Sequence, residues 1–179
     1  GTYHLIPFSA ADQVSNMTKD FSNFVADVEV AYREDTDEVR AAMEEAFERL
    51  RETGAQACAI AFLFAYLNPS HEEAVRDRIA AALPDLAIST SSGVQPEFRE
   101  YERTSTTLLN AYLQPAFAHY MTTLKDALDR SSPAAKVGIN QSSGGLMSIE
   151  RARDFPIRTA LSGPAAGAMG AIHAARQSG

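Results

Sequence analysis

A nearly continuous apolar run, Ala55–Tyr66, constrains the fold of this chain more than any other feature. Such a run is typical of a central strand covered on both faces, because a strand that faces water on one side alternates polar and apolar residues. An amphipathic helix is predicted before the run, from a cap at Asp35 to Gly54. A second helix is predicted after it, opened by a capping box of Ser70 and Glu73. A buried strand between two helices predicts the α/β class.

The rest of the chain continues this alternation of strands and helices. Further strands are predicted at Phe24–Tyr32, Leu86–Thr90, Val137–Asn140 and Ile157–Leu161. Apolar residues three or four apart predict a long helix from Leu108 to Leu128, which Pro115 is expected to kink or break. A shorter helix is predicted from Ser148. The sheet is therefore expected to carry helices on both faces.

Charge and residue usage exclude several partners. Sixteen Lys and Arg against 23 Asp and Glu give a net charge of −7, and no stretch combines basic with aromatic residues, so no nucleic acid partner is expected. No window reaches the ~18 consecutive apolar residues of a membrane-spanning helix, so no membrane contact is expected. The single Cys58 cannot form an internal disulfide, which favours the cytoplasm. Because the chain starts at Gly1 and a helical pattern runs almost to Gly179, we expect a segment of a longer protein.

A glycine-containing turn, Gln141–Gly145, follows one of the predicted strands. Open α/β sheets bind ligands at the carboxyl ends of their strands, and glycine lets backbone amides approach an anion. The candidates for cofactor binding in this turn are Ser142, Ser143, Gly144 and Gly145. The alternative is a tight turn that needs glycine only for its positive φ.

The last predicted helix is unusual because two glycines lie among good helix formers, at a cost of about 1 kcal/mol each relative to alanine. One hypothesis is that free amides at its start, at Ser162 and Gly163, bind a cofactor phosphate. The favoured hypothesis is close packing, because small residues recur four apart and let another backbone approach. The small residues and the proline at the helix start are then hinge candidates: Pro164, Ala166, Gly167 and Gly170.

A dense charged segment, Glu97–Thr104, precedes the long helix. Its candidates for contacting a substrate or a second lobe through charge-assisted hydrogen bonds are Glu97, Glu100, Arg103 and Thr104. The alternative is a solvated first helical turn. His71, beside Glu72, is interpreted as structural, and the histidines and Cys58 lack the spacing of a zinc site, so no metal ligands are predicted.

Several stretches of the chain resemble a single enzyme family. They are Ala59–Glu72, Pro96–Thr107, Asn110–Pro115, Gln141–Ser148 and Ser162–Gly167. These stretches are similar to the hydantoinase A, 5-oxoprolinase and acetone carboxylase family, and Arg99–Thr104 and Ser162–Gly167 are the most specific of them. The resemblance extends from about Val25 to the end of the chain. Ser143 departs from the asparagine of the family.

The resemblance implies an ATP-dependent enzyme of the actin-like, ribonuclease H-like fold, whose two lobes close over ATP and Mg. Such enzymes open cyclic amides or carboxylate ketones, and phosphorylating an oxygen makes these poor electrophiles reactive. The two Asp-x-Gly-Gly-Thr phosphate loops of the family do not occur in this sequence. The chain alone is therefore expected to be inactive and to hold no cofactor tightly.

The resemblance also implies a domain organisation and partners. Residues 1–24 are expected to be an irregular segment, 25–161 part of an α/β lobe with a mixed sheet, and 162–179 an inter-lobe connecting helix. The expected partners are the remainder of the same subunit and a second large subunit. An alternative from another class is a non-catalytic module that binds a small molecule or a partner at Gln141–Gly145 or Glu97–Thr104.

Overall fold

The computed structural model describes residue 44 and residues 46–178, and the chain divides into two compact units, 1–55 and 56–179. In the first unit, residues 46–52 form helix α1, which ends in a turn where the amide of Thr53 donates to the carbonyl of Arg49 (3.1 Å). Gly54 follows with a φ of 63°, which confirms the helix end predicted there. The predicted strand Phe24–Tyr32 and the start of the predicted first helix lie outside the described residues.

The second unit begins with a parallel β-α-β arrangement. Strand β1 (Ala57–Ile60) leads through helix α2 (Ser70–Ala82) to strand β2 (Ala87–Thr90). The two strands pair in parallel, with Ala57 opposite Ala87 and Ile60 opposite Thr90. Parallel strands need a long crossover, and α2 supplies it. The carboxyl ends of both strands therefore meet at one edge.

The strand predicted from the apolar run is shorter than expected. It ends at Ile60 because the backbone of Phe62 pairs with side chains rather than with a neighbouring strand: its amide donates to Glu72 and its carbonyl accepts from Arg103. Phe64 then has a φ of 56°, which a strand does not allow. The prediction of one continuous strand was wrong.

The capping box predicted at the start of α2 was also wrong. Ser70 is already inside the helix, and Pro69 is the residue that caps it, without a side-chain hydrogen bond. The amide of Ser70 instead donates to the side chain of Asn68 at 3.2 Å.

Helix α4 runs along the second unit. After the short helix α3 (Ser91–Val94), α4 extends over Glu100–Ser131 and contacts both strands of the parallel pair. It continues through Pro115, so the break considered there does not occur. One face of α4 is buried at three-to-four-residue intervals: Arg103, Thr107, Asn110, Ala111, Gln114 and Met121. Most of the side chains on that buried face are polar, so the face is a candidate for a functional site.

The remaining elements form a second, smaller layer. Strands β3 (Ile139–Asn140) and β4 (Leu146–Met147) pair antiparallel. Helix α5 (Ile149–Asp154) starts where a helix is predicted, and Ser148 caps it, its hydroxyl accepting from the amide of Arg151 at 3.2 Å. The apolar core here consists of Met121, Met147, Ile149 and Ala152.

The strand predicted at Ile157–Leu161 was wrong, because a 3-10 helix (Pro156–Thr159) lies there. Pro156 has no amide hydrogen for a sheet. The amide of Ile157 donates to the side chain of Asn110 at 3.2 Å, so the groups that would form a sheet ladder are already paired. Helix α6 (Ser162–Ser178) follows and has no buried residue.

The described part of the chain is a mixed α/β structure in which helices dominate and the sheets are small. It contains one parallel and one antiparallel two-stranded sheet. The larger mixed sheet that the resemblance implied is not formed by residues 46–178, because the predicted strand Ala55–Tyr66 is shortened to β1 and a 3-10 helix replaces the predicted strand Ile157–Leu161.

Candidate functional site

A buried carboxylate lies where the parallel strands β1 and β2 end. Glu72, in the first turn of α2, is fully buried. One of its oxygens accepts from the amide of Phe62 (2.9 Å) and the hydroxyl of Ser91 (2.5 Å). The other accepts from the amide (2.8 Å) and the hydroxyl (2.6 Å) of Ser92. Glu72 thus connects the segments that follow both strands.

A buried guanidinium completes this cluster. Arg103, also fully buried, donates from Nε to the hydroxyl of Ser91 (3.0 Å), and the same hydroxyl donates to Glu72. It also donates to the carbonyls of Glu97 (2.6 Å) and Phe62 (2.9 Å) and pairs with the carboxylate of Glu100. Buried charges are tolerated when they are paired and hydrogen bonded, as they are here. We call Glu72, Ser91, Ser92 and Arg103 the buried charge cluster.

The structure brings together three of the four residues predicted to contact a substrate or a second lobe. Arg103 pairs with the side chain of Glu100 and with the backbone of Glu97, whose side chain is exposed. Thr104 is half-buried on the next position of α4. The hydrogen bonds of Arg103 are made within this unit, and the substrate or inter-lobe role of these residues stays a prediction.

Glu72 does not stand out in the sequence as a buried group. Its neighbour His71, which was interpreted as structural, is exposed, and Glu72 was considered only as the residue beside it. A usable signal was present in Ser91 and Ser92, because two hydroxyls directly after a strand end offer donors to an acid at the same sheet edge. The partner at position 103, however, is 31 residues from Glu72, beyond the reach of local patterns.

A second polar network joins β2, α4 and the end of α5. The side-chain amide of Asn110 donates to the hydroxyl of Ser89 and to the carbonyl of Asp154, both at 2.9 Å. Gln114 donates to the same carbonyl at 3.0 Å and accepts from Ser89 at 2.8 Å. With the bond from Ile157 to Asn110, this network fixes the chain that leads to α6.

The turn predicted to bind a cofactor closes the β3–β4 hairpin. Gly144 and Gly145 have φ values of 86° and 80°, and the amides of Gly144 and Gln141 make hydrogen bonds across the turn at 3.0 Å each. Both glycines thus have the positive φ expected of a tight turn, and cofactor binding by this turn stays a prediction. Ser143 is exposed, and Ser142 points its hydroxyl at the chain before α6, donating to the carbonyl of Arg158 at 2.8 Å.

The predicted hinge residues lie on an uncovered helix. No atom of a neighbouring element lies within 4 Å of the position that a Cβ would take at Gly163, Gly167 or Gly170. Pro164 is exposed, and Ser162 and Ala166 are half-buried. Nothing in residues 46–178 packs on the glycines of α6, so the close packing and the hinge stay predictions.

A shallow cleft of about 180 Å³ lies beside the buried charge cluster. Its lining includes Tyr66, Arg76 and Ser92. Arg76 pairs with Asp77 at 2.8 Å and Ser92 donates to Glu72, so these polar groups already have partners.

The described residues do not by themselves fit ATP and magnesium. Residues 46–178 contain no group of three His, Cys, Asp or Glu side chains placed to hold a metal ion. In the same range, every buried side-chain nitrogen and oxygen has a hydrogen-bond partner, and phosphate binding by the backbone amides at Ser142–Gly145 or Ser162 and Gly163 stays a prediction. None of the helices in this range has the length and apolarity needed to cross a bilayer.

The fold and these two networks define a mixed α/β segment whose buried polar groups hold its own structure together. Comparison of the sequence with known protein families identifies the family of the chain. The pattern of the hydantoinase/oxoprolinase N-terminal region matches residues 12–83, and that of hydantoinase/oxoprolinase matches residues 103–179. The chain belongs to the hydantoinase/oxoprolinase family, as the resemblance in the sequence indicated.

Known proteins of this family match over much of the chain. The caprolactamase alpha subunit of Pseudomonas jessenii is 37% identical over 70% of the chain. The crystal structure of ATP-dependent caprolactamase from that organism matches 60% of the chain, and 16% of its own, with a TM-score of 0.55 and 42% identity. A nucleotide-free acetone carboxylase structure matches 76% of the chain, and 20% of its own, with a TM-score of 0.62 and 23% identity. The chain spans 18% of the length of the caprolactamase subunit.

Proposed function

We propose that the protein acts as an ATP-dependent enzyme that opens a cyclic amide, and that this chain supplies part of the framework of one lobe. The observation that carries the proposal is the 42% identity to an ATP-dependent caprolactamase, with a shared fold over 60% of the chain. The acetone carboxylase match, at 23% identity, supports the fold alone. The acetophenone carboxylase gamma subunit of Aromatoleum aromaticum is 31% identical to the chain, against 37% for the caprolactamase alpha subunit, so cyclic amide opening is preferred over ketone carboxylation.

The framework role is supported by the way the buried polar groups are used. Glu72 and Arg103 together bind the segments after β1 and β2 and the start of α4. Catalytic groups need hydrogen-bonding positions that are open to a substrate. The hydrogen bonds of Glu72 and Arg103 are instead made to the backbone and side chains of their own unit. ATP and Mg are bound by other parts of the enzyme in this proposal, and the isolated chain is inactive.

The proposed partners follow from the same relatives. The matching caprolactamase polypeptide is described as subunit alpha. We therefore propose that the whole protein works with a second large subunit, and that α6 connects the two lobes within its own subunit.

The proposal is tested by measuring ATP hydrolysis by the whole protein with its companion subunit. Caprolactam, hydantoin, 5-oxoproline, and acetone with bicarbonate are the trial substrates, and the 179-residue chain is the comparison. Hydrolysis stimulated only by cyclic amides, and only in the whole enzyme, is expected. Stimulation by acetone alone would replace the proposed reaction with ketone carboxylation.

Calorimetry with the 179-residue chain separates the framework role from a binding module. No heat of binding is expected for ATP or for any of the cyclic amides. Micromolar binding of one of them to this chain alone would contradict the framework role and favour a small-molecule module.

A further inference from the structure

Helix α6 is held in place by its first residues. None of its side chains is buried, although it extends over 17 residues. Immediately before it, the amide of Leu161 donates to the hydroxyl of Ser142 at 3.0 Å. The direction in which α6 leaves the unit therefore depends on a few hydrogen bonds at its base.

Ser142 makes three of those hydrogen bonds. Its amide and its hydroxyl both donate to the carbonyl of Arg158, at 2.6 Å and 2.8 Å, and its hydroxyl accepts from Leu161. The single hydroxyl hydrogen is thus used on Arg158, and a lone pair is used on Leu161. This one side chain connects the β3–β4 hairpin to both sides of the turn that precedes α6.

Arg158, whose carbonyl Ser142 binds, is itself held in place by its side chain and by its neighbour in the chain. The guanidinium of Arg158 donates to the carbonyl of Val94 at 3.4 Å and lies 4.9 Å from the centre of the Phe155 ring. The preceding residue, Ile157, donates to Asn110, which belongs to the network around β2 and α4. A continuous series of hydrogen bonds therefore runs from β2 through Asn110 to the base of α6.

We propose that Ser142 is a positioning residue that sets the direction of α6 relative to the β1–β2 pair, and that it does not bind a nucleotide phosphate. The proposal rests on the proposed function in one respect, namely that α6 connects two lobes. In that case, the hydroxyl of Ser142 controls how lobe movement is transmitted, because it is the last side-chain contact before the helix.

The first test measures amide hydrogen exchange in the 179-residue chain. Ser142→Ala removes the acceptor of the Leu161 amide, so that amide should exchange about fivefold to tenfold faster, as expected for the loss of one net hydrogen bond. Ser142→Thr, which keeps the hydroxyl, should restore slow exchange. Ser148→Ala is the matched control, because it removes another hydroxyl that accepts from a backbone amide. This variant should speed amide exchange at Arg151 but not at Leu161. Unchanged exchange at Leu161 in Ser142→Ala would overturn the proposal.

The second test uses the whole enzyme. Ser142→Ala should lower kcat severalfold and leave the KM for ATP unchanged, and Ser142→Thr should restore kcat. A tenfold rise in the KM for ATP would identify Ser142 as a nucleotide contact and overturn the proposal. If the wild-type enzyme hydrolyses no ATP, the proposed function fails, but the exchange of Leu161 still decides the positioning role.

Discussion

Removing the Glu72 carboxylate is the sharpest test of the framework. Glu72→Ala leaves the two hydroxyls and two amides that it accepts from without their acceptor, and it leaves Arg103 with the partly exposed Glu100 as its nearest carboxylate. Leaving buried donors without their acceptor costs about 1–3 kcal/mol for each group that finds no replacement, so we expect the substitution to cost about 3–5 kcal/mol in total. In a domain of this size, that loss lowers the melting temperature by on the order of 10 °C.

The neighbouring Glu73 provides a matched control. Both residues lie in the first turn of α2, so both interact favourably with the helix dipole, but Glu73 is exposed. Glu73→Ala should therefore cost less than about 1 kcal/mol. Urea unfolding followed by circular dichroism gives both free energies. Glu72→Gln, which keeps one acceptor oxygen, should fall between them and provides a measurement if Glu72→Ala does not fold.

Equal costs for Glu72→Ala and Glu73→Ala would refute the reasoning. That result would mean that the donors around Glu72 find water or other acceptors at no cost, so the buried charge cluster would not be the framework described above.

Three other changes test separate features of the molecule. Burial raises the pKa of the Cys58 thiol from 9.0 to about 11. Because thiolate is the reactive form, alkylation of Cys58 at pH 8 should be roughly a hundredfold slower in the folded chain than in urea. Since the folded value is the higher one, the stability that Cys58 contributes is complete below pH 9.0 and is lost as the pH rises through about 11. Asn110→Ala should cost about 2–3 kcal/mol in urea unfolding, because it leaves the Ile157 amide without its acceptor and removes the hydrogen bonds to Ser89 and Asp154. Leu109→Ala, at an exposed position of the same helix, should cost less than about 1 kcal/mol. The methyl group added by Gly167→Ala meets no neighbouring atom of the described residues, so this substitution should stabilise the chain by up to about 1 kcal/mol in thermal unfolding. Gly167→Leu in the whole enzyme should reduce kcat more than ATP affinity.

Local signals predicted the elements whose ends are set by local chemistry. The start of α5 near Ser148, the turn at Gly144 and strand β2 are all confirmed. For α5 and the turn, the decisive interaction joins residues that are close in sequence or depends on the backbone freedom of one residue. Such interactions can be recognised without knowing the rest of the fold. Strand β2 was predicted from its own residues, although the strand with which it pairs lies on the other side of α2.

Elements that depend on distant partners were not predictable. The apolar residues after Ile60 fit a strand by pattern, but Glu72 and Arg103 bind the backbone there and turn the chain. Asn110 likewise binds the amide of Ile157, 47 residues away, and prevents a strand. The sequence indicated Arg103 together with Glu100, the carboxylate with which it pairs, but not Glu72, to which it is joined through Ser91. Nothing local specifies which distant residues surround a buried guanidinium.

The buried charge cluster also bears on how the family sequence is divided. The N-terminal region ends its match at residue 83 and the following region begins at residue 103, so Glu72 lies in one and Arg103 is the first matched residue of the other. A cut between these regions would separate Glu72 from Arg103, although both bind the hydroxyl of Ser91 and the backbone of Phe62. We therefore expect that neither matched region folds stably without the other, because the buried charge cluster is complete only when both are present.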